Sequence, residues 1–127
     1  DFHGDSEFVE ARFLVDPKAE GDPVVAGKSK EFTYTADWLN FDKSVTGLPG
    51  VEVLLRLDEK SYVPVRNHPS YKDMKPMGAD HPICWRRNLD SGRYFFTGLG
   101  HDVKSIDTAF GRAHLLAGIR WTAGRKK

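Results

Sequence analysis

The alternation of apolar and polar residues along the chain predicts four regions of β-structure, the last of them a pair of segments. They cover residues 8–15, 31–41 and 51–58, and the pair 83–88 and 93–97. The pair is joined by Leu-Asp-Ser-Gly at residues 89–92, where Asp and Gly supply turn geometry. We therefore expect an antiparallel hairpin at this point.

The C-terminal part predicts one long helix. Apolar residues recur at helical spacing after Asp107, which can cap the helix: Phe110, Ala113, Ala117 and Trp121. Gly124 stands where a helix stop is expected. His114 lies inside this helix beside two leucines, and we expect it to be a half-buried structural residue.

Two connections between these elements contain proline and glycine. Residues 16–30 predict a link with one short helical turn near 24–27. Residues 61–79 hold three prolines and Gly78, which argue against a continuous helix or a central strand. Irregular segments of this length are uncommon unless they are functional or mobile.

One helix can cover only one face of a sheet, so the apolar strands predict that something else packs on them. The alternatives are an N-terminal half of the same domain, a second copy or another protein chain. We expect residues 1–127 to form a single domain that is incomplete at its N-terminal side.

Composition narrows the classes of partner. Nineteen basic and eighteen acidic residues give a net charge of +1, so no global field favours nucleic acid. No stretch approaches the ~20 apolar residues that cross a bilayer, and we expect no membrane insertion. The single cysteine, Cys84, has no partner for an intrachain disulfide.

Five short motifs follow one another between residue 35 and residue 124. Residues 35–41 read T-A-D-W-L-N-F, residues 57–62 read L-D-E-K-S-Y and residues 77–85 read M-G-A-D-H-P-I-C-W. Residues 92–101 read G-R-Y-F-F-T-G-L-G-H, and residues 110–124 read F-G-R-A-H-L-L-A-G-I-R-W-T-A-G. Together they resemble the ThuA-like (trehalose utilisation) family, in an order that is hard to obtain by chance.

The resemblance implies an α/β fold, namely the C-terminal part of a flavodoxin-like (class I glutamine amidotransferase-like) domain. It implies a mixed sheet with a β-hairpin and one long C-terminal helix. The implied role is carbohydrate catabolism, with a small-molecule sugar such as trehalose or its keto derivative as ligand. Where the family has T-D-E-W-Y-N-F, this chain has Ala36-Asp37 and Leu39, and the family's opening parallel β-α units do not precede Asp1.

Two histidines are candidates for acid/base chemistry, because the imidazole pKa of about 6.5 lies near working pH. His81 follows Asp80, which could orient a histidine, and precedes Pro82, which biases it towards extended backbone. His101 ends Gly98-Leu99-Gly100-His101, a loop in which glycines allow close approach to a ligand. The alternative for each is a histidine that only bonds the nearby backbone.

Other side chains could complete a site. His81, His101, Asp80 and Asp37 offer nitrogen and oxygen ligands for zinc or another divalent metal, although no short-range ligand motif joins them. Trp38, Trp85 and Tyr94 could stack on sugar rings, with core packing as the alternative, and Asp37 is a further candidate for binding the substrate. Cys84 lies inside a predicted strand without the turn that exposes a catalytic nucleophile.

Two hypotheses follow. The chain is either a carbohydrate-processing domain that uses histidine acid/base chemistry, or a non-catalytic ThuA-like binding or assembly module of a larger complex. Convergence of His81, His101 and Asp37 on one open pocket would favour the first.

Overall fold

The computed structural model describes residues 2–124, and the side chains from residue 4 onwards. Its strands are β1 (Phe2–Val15), β2 (Glu31–Phe41), β3 (Val51–Asp58), β4 (Pro82–Leu89) and β5 (Gly92–Thr97), and its α-helices are α1 (Val103–Ile106) and α2 (Ala109–Thr122). No helix within the described residues has the length and apolar character needed to cross a membrane.

The strands form one sheet in the order β2-β1-β3-β4-β5, and every pairing within residues 2–124 is antiparallel. The mixed sheet expected from the family resemblance is thus not seen in this part of the chain. The links between β1 and β2 and between β3 and β4 contain only 3₁₀ turns and no crossover helix. Parallel neighbours normally need a crossover helix. The predicted hairpin is confirmed as β4 and β5.

The sheet curls, so that strands at its two edges approach each other. The ring of Phe41 on β2 lies 5.6 Å from the ring of Trp85 on β4 and 5.8 Å from that of Phe96 on β5. Trp85 and Phe96 are themselves stacked, with centroids 4.1 Å apart. The curl therefore encloses an aromatic cluster.

Helix α2 packs on the aromatic residues of the sheet. The ring of Phe110 lies 4.9 Å from Phe32 and 5.3 Å from Tyr34. His114 is buried and bonded to the Thr97 hydroxyl and the Val24 carbonyl, which confirms the structural role expected for it.

The helix begins one residue later than the sequence indicates. Thr108 is the N-cap and accepts from Gly111 N at 2.9 Å, whereas Asp107 ends the separate single turn α1. Because that turn fixes the backbone up to Ile106, Thr108 is the residue that can cap α2. Gly124, with φ of 71°, follows the helix as expected.

The segment between β3 and β4 is irregular, as predicted, apart from 3₁₀ turns at Glu59–Ser61 and Pro69–Tyr71. It packs on the end of β2: Asn40 Nδ2 donates to the Pro64 carbonyl at 2.7 Å. Tyr62 and Met74 of this segment are buried. It therefore supplies cover that the single long helix does not provide.

Strand β1 begins at Phe2, six residues before the predicted start, and it contains bulges. Asp5 lies opposite Leu39 and Phe8 opposite Asp37, so β1 advances three residues while β2 advances two. Because residues opposite one another share a face, the extra residue brings Asp5 and Phe8 to the same side. In a regular strand, positions 5 and 8 would face opposite sides.

Hydrogen bonds hold this bulge in place. Ser6 Oγ accepts from Trp38 N at 2.8 Å, in place of a backbone partner, and Arg66 Nη2 donates to the Ser6 carbonyl at 2.8 Å. Gly4 has φ of 103°, a conformation that favours glycine. Gly, Asp and Ser are poor strand formers, which explains why the sequence pattern did not extend the strand to this point.

Candidate functional site

Three ionisable side chains from distant parts of the chain meet at one end of the β1–β2 pair. His101 Nδ1 contacts Asp37 Oδ2 and lies 3.4 Å from Asp5 Oδ2. One ligand-type atom from each residue lies within 4.8 Å of the others. The two carboxylates are buried, whereas 56% of the His101 side chain is exposed. The cluster is therefore an acidic pocket with a solvent-accessible imidazole at its mouth.

Each residue is positioned by a different local device. Asp37 points from β2, and the bulge in β1 turns Asp5 towards it. His101 follows β5 on a tight loop: Gly98 packs so closely on Ile83 that an added Cβ would lie 2.5 Å from Ile83 Cδ1. This loop is tied down by Ser105, whose hydroxyl donates to the Leu99 carbonyl at 2.7 Å.

The irregular segment delivers two further side chains to the cluster. Arg66 Nη2 lies 3.4 Å from Asp5 Oδ1. A hydrogen bond to Asp5 and the charge of that carboxylate raise the pKa of Tyr71, so the phenol keeps its proton and donates it. Arg66 also lies over the Tyr71 ring, 5.8 Å from its centroid. A cation and a hydrogen-bond donor thus partly offset the burial of Asp5.

Carboxylate oxygens remain without hydrogen bonds in this cluster. Among the described residues, Asp37 Oδ1 has no hydrogen-bond partner, and Asp5 Oδ1 has only the long contact to Arg66. Buried polar atoms are normally satisfied, and each exception calls for an explanation such as an ion or water. Two carboxylates and one imidazole are ligand types that suit a divalent cation such as zinc. The donor set therefore fits a metal.

His81, in contrast, is fully buried and lies apart from this opening. Its Nδ1 lies 2.8 Å from Glu59 Oε1 and its Nε2 lies 2.8 Å from the Leu39 carbonyl. Glu59 in turn accepts from the backbone N–H groups of Met77 and Gly78. The imidazole joins the end of β3 to β2, so its two nitrogens are occupied by contacts that hold the fold.

Asp80 does not contact the ring of either candidate histidine among the bonds described for it. Its Oδ1 accepts from Thr46 Oγ1 at 2.8 Å and from Arg56 Nε at 3.3 Å. Burial by itself would raise the pKa of this carboxyl, but the hydrogen bonds from Ser44, Thr46 and Arg56 bring it below its usual value. The carboxylate at His81 is that of Glu59 instead. Although Asp80 and His81 are adjacent in the sequence, their side chains make separate sets of contacts.

The two tryptophans proposed as sugar platforms lie in the core. Trp38 is fully buried, with its Nε1 donating to the Val9 carbonyl at 3.0 Å. Trp85 is covered by Phe96 and Phe41. Core packing, the alternative considered for both, is what the structure shows. Burial also raises the pKa of the Cys84 thiol, in keeping with an unreactive core cysteine.

Sequence reasoning thus found two members of the cluster, His101 and Asp37, and missed Asp5, Arg66 and Tyr71. Asp5 was missed because it precedes the segment that alternates. The one available signal for Arg66 and Tyr71 was the length of the irregular segment, since such segments often carry function.

These features define an α/β domain with a curled antiparallel sheet, a C-terminal helix and a carboxylate–histidine cluster. The chain belongs to the ThuA family, described as trehalose utilisation, whose pattern matches residues 2–122. It is similar to a ThuA-like protein from Bacteroides uniformis ATCC 8492 whose crystal structure is known, with 26% identity and a TM-score of 0.71. The similarity covers 99% of this chain and 48% of that one, so the chain spans about half the length of that relative. No curated protein gives a significant match.

Proposed function

We propose that this chain provides the histidine-bearing part of a site that processes a disaccharide such as trehalose or its keto derivative. The observation that carries the proposal is the exposed imidazole of His101 held against two buried carboxylates, Asp37 and Asp5. The family description, trehalose utilisation, supplies the class of substrate. The flavodoxin-like, glutamine amidotransferase-like architecture belongs to the same proposal.

His101 acts as the general acid/base in this proposal. A carboxylate at Nδ1 orients the ring and fixes its tautomer, which leaves Nε2 to exchange a proton with a sugar hydroxyl. Asp37 is the orienting group. Asp5 adds a negative charge, which the ion pair with Arg66 and the hydrogen bond from Tyr71 stabilise. His81 and Asp80 lie outside this mechanism, because their polar atoms are engaged in contacts that hold the fold.

As an alternative to the hydrogen bond between His101 and Asp37, the same donor set would hold a divalent cation such as zinc through Asp5, Asp37 and His101. Bound there, the ion would supply Lewis-acid chemistry by polarising an oxygen of the sugar. Calorimetric titration of the protein with Zn²⁺ and with Mn²⁺ tests this point. We expect His101→Ala and Asp37→Asn each to weaken binding, and Asp90→Asn, which alters an exposed carboxylate in the turn between β4 and β5, to leave it unchanged.

The test of the catalytic proposal is turnover of trehalose and of its keto derivative by the protein that contains this chain. His101→Ala is expected to lower kcat/KM about 10²–10⁴-fold, the usual loss when a general acid/base is removed. Asp90→Asn, at an exposed position in the turn between β4 and β5, serves as the control. Turnover that survives His101→Ala unchanged would show that the imidazole is not the acid/base.

A second candidate, a non-catalytic binding or assembly module, is favoured by a separate observation. Tyr94 on β5 and Leu116 and Ile119 on α2 are large apolar side chains that remain exposed, and β5 is an edge strand. The proposed occupant is the N-terminal half of the domain, with a second copy or another chain as alternatives. Light scattering of the chain and of its Ile119→Glu variant distinguishes self-association from a monomer.

A further inference from the structure

An exposed aromatic ring stands directly beside the carboxylate–histidine cluster. Phe8 of β1 lies opposite Asp37 of β2, and 41% of it is exposed. Side chains of directly opposed residues in antiparallel strands project from the same face, with Cβ atoms about 5 Å apart. The ring of Phe8 therefore shares a face with the carboxylate that holds His101.

The backbone places Phe8 there by the bulge already described. Positions 5 and 8 of β1 face the same side only because β1 advances by one residue more than β2 between them. The neighbour Val9, in contrast, is partly buried and packs against the apolar core. Phe8 lies on the face of the strand that carries Asp5 and Asp37, and a large part of its ring is in solvent. The ring is therefore not needed to fill the core.

A lysine lies over this ring. Lys104 Nζ is 4.2 Å from the Phe8 ring centroid. Lys104 follows His101 by three residues, and its side chain is long and exposed. A cation–π contact at an exposed site is weak, so a ligand with a matching surface can displace the lysine.

We propose that Phe8 is the platform on which a pyranose ring of the substrate stacks, and that Lys104 covers this platform when no sugar is bound. The aliphatic C–H groups on one face of a pyranose match the negative face of an aromatic ring, and its hydroxyls then reach His101 and Asp37. This inference rests on the proposed function. It assigns to Phe8 the role that the buried Trp38 and Trp85 do not fill.

The test is calorimetric titration of the protein with trehalose. Phe8→Ala and Phe8→Leu are expected to raise Kd roughly 3- to 10-fold, the effect of losing an aromatic contact. Phe8→Trp is expected to retain or improve binding. Tyr94→Ala removes an equally exposed ring on β5 and is expected to leave Kd unchanged. Because Phe8 is on the surface, we expect each variant to keep its fold, which far-UV circular dichroism checks.

Replacement of Lys104 is expected to lower the Kd for trehalose, the opposite of the effect expected at Phe8. Lys104→Ser removes both the charge and the long side chain that lie over Phe8, so trehalose should bind about 2- to 5-fold more tightly, in line with the strength of an exposed cation–π contact. Unchanged or weaker binding in Lys104→Ser would overturn the covering role. Phe8→Leu with unchanged Kd would overturn the platform role.

Failure of this inference is distinguishable from failure of the proposed function. Trehalose binding that is lost in His101→Ala but unaffected by Phe8→Ala would leave the proposed site standing and reject Phe8 as its platform. An unmodified protein that binds neither trehalose nor its keto derivative would reject both.

Discussion

Replacement of His81 by alanine tests whether this histidine holds the fold. Its ring is fully buried, and its nitrogens each lie 2.8 Å from an oxygen, Glu59 Oε1 and the Leu39 carbonyl. A hydrogen bond to a charged group contributes about 1.5–3 kcal/mol and a neutral one about 0.5–1.5 kcal/mol. With the cavity left by the ring, we expect His81→Ala to lower the free energy of unfolding by about 3–5 kcal/mol.

Urea unfolding followed by tryptophan fluorescence measures this loss, since Trp38 and Trp85 are buried and become exposed on unfolding. His68→Ala is the matched control: that histidine is exposed and accepts one hydrogen bond, from Ser70 N at 3.1 Å. Its replacement should cost less than about 1 kcal/mol. A loss for His81→Ala no larger than for His68→Ala would refute the bridging role and reopen acid/base chemistry for His81.

Three other outcomes follow from the packing. Burial lowers the pKa of His114, so below pH ~6.5 the unfolded chain binds a proton that the folded chain does not. The free energy of unfolding should therefore fall as the pH drops below about 6.5. A shallower pH dependence of this free energy in His114→Gln would verify the assignment. Gly118→Ala gains up to about 1 kcal/mol of helix propensity, but its Cβ would lie 2.3 Å from Phe95 Cε1. Because overpacking costs about 1–3 kcal/mol, thermal melting should show a net loss of stability. A higher Tm would contradict this expectation. Ser6→Ala removes the acceptor of the buried Trp38 N–H and should cost about 1–3 kcal/mol in urea unfolding, with Ser29→Ala, an exposed serine in the link before β2, as the neutral control.

The elements with a regular pattern were predictable from sequence, and their pairing was predictable only where a turn fixed it. The hairpin of β4 and β5 was set by Asp90 and Gly92 in a short turn. The directions of the other strands depend on links such as residues 16–30, whose composition predicts a connection and not the path it takes. The mixed sheet was expected from the family resemblance alone, and the pairings within the described residues are antiparallel.

The site was predictable only in part for a related physical reason. His101 and Asp37 lie on elements with recognisable signals, a glycine loop and a strand. Asp5 depends on a bulge, and a bulge is defined by the register between two strands and not by either strand alone. The contrast between His81 and His101, one buried and one exposed, depends on the curl of the sheet, which no local pattern encodes.

Because of the bulge in β1, the carboxylate–histidine cluster depends on the number of residues between Asp5 and Phe8 as well as on which residues they are. Asp5 and Phe8 share a side with Asp37 because one additional residue separates them. Loss of a single codon for Ser6 or Glu7 would restore even alternation and turn Asp5 to the other side, while the pairing from Val9 to Leu14 could remain. Deletion at this point is therefore a route by which a relative could lose the carboxylate–histidine cluster and keep the domain, and the spacing from Asp5 to Phe8 distinguishes the two kinds of sequence.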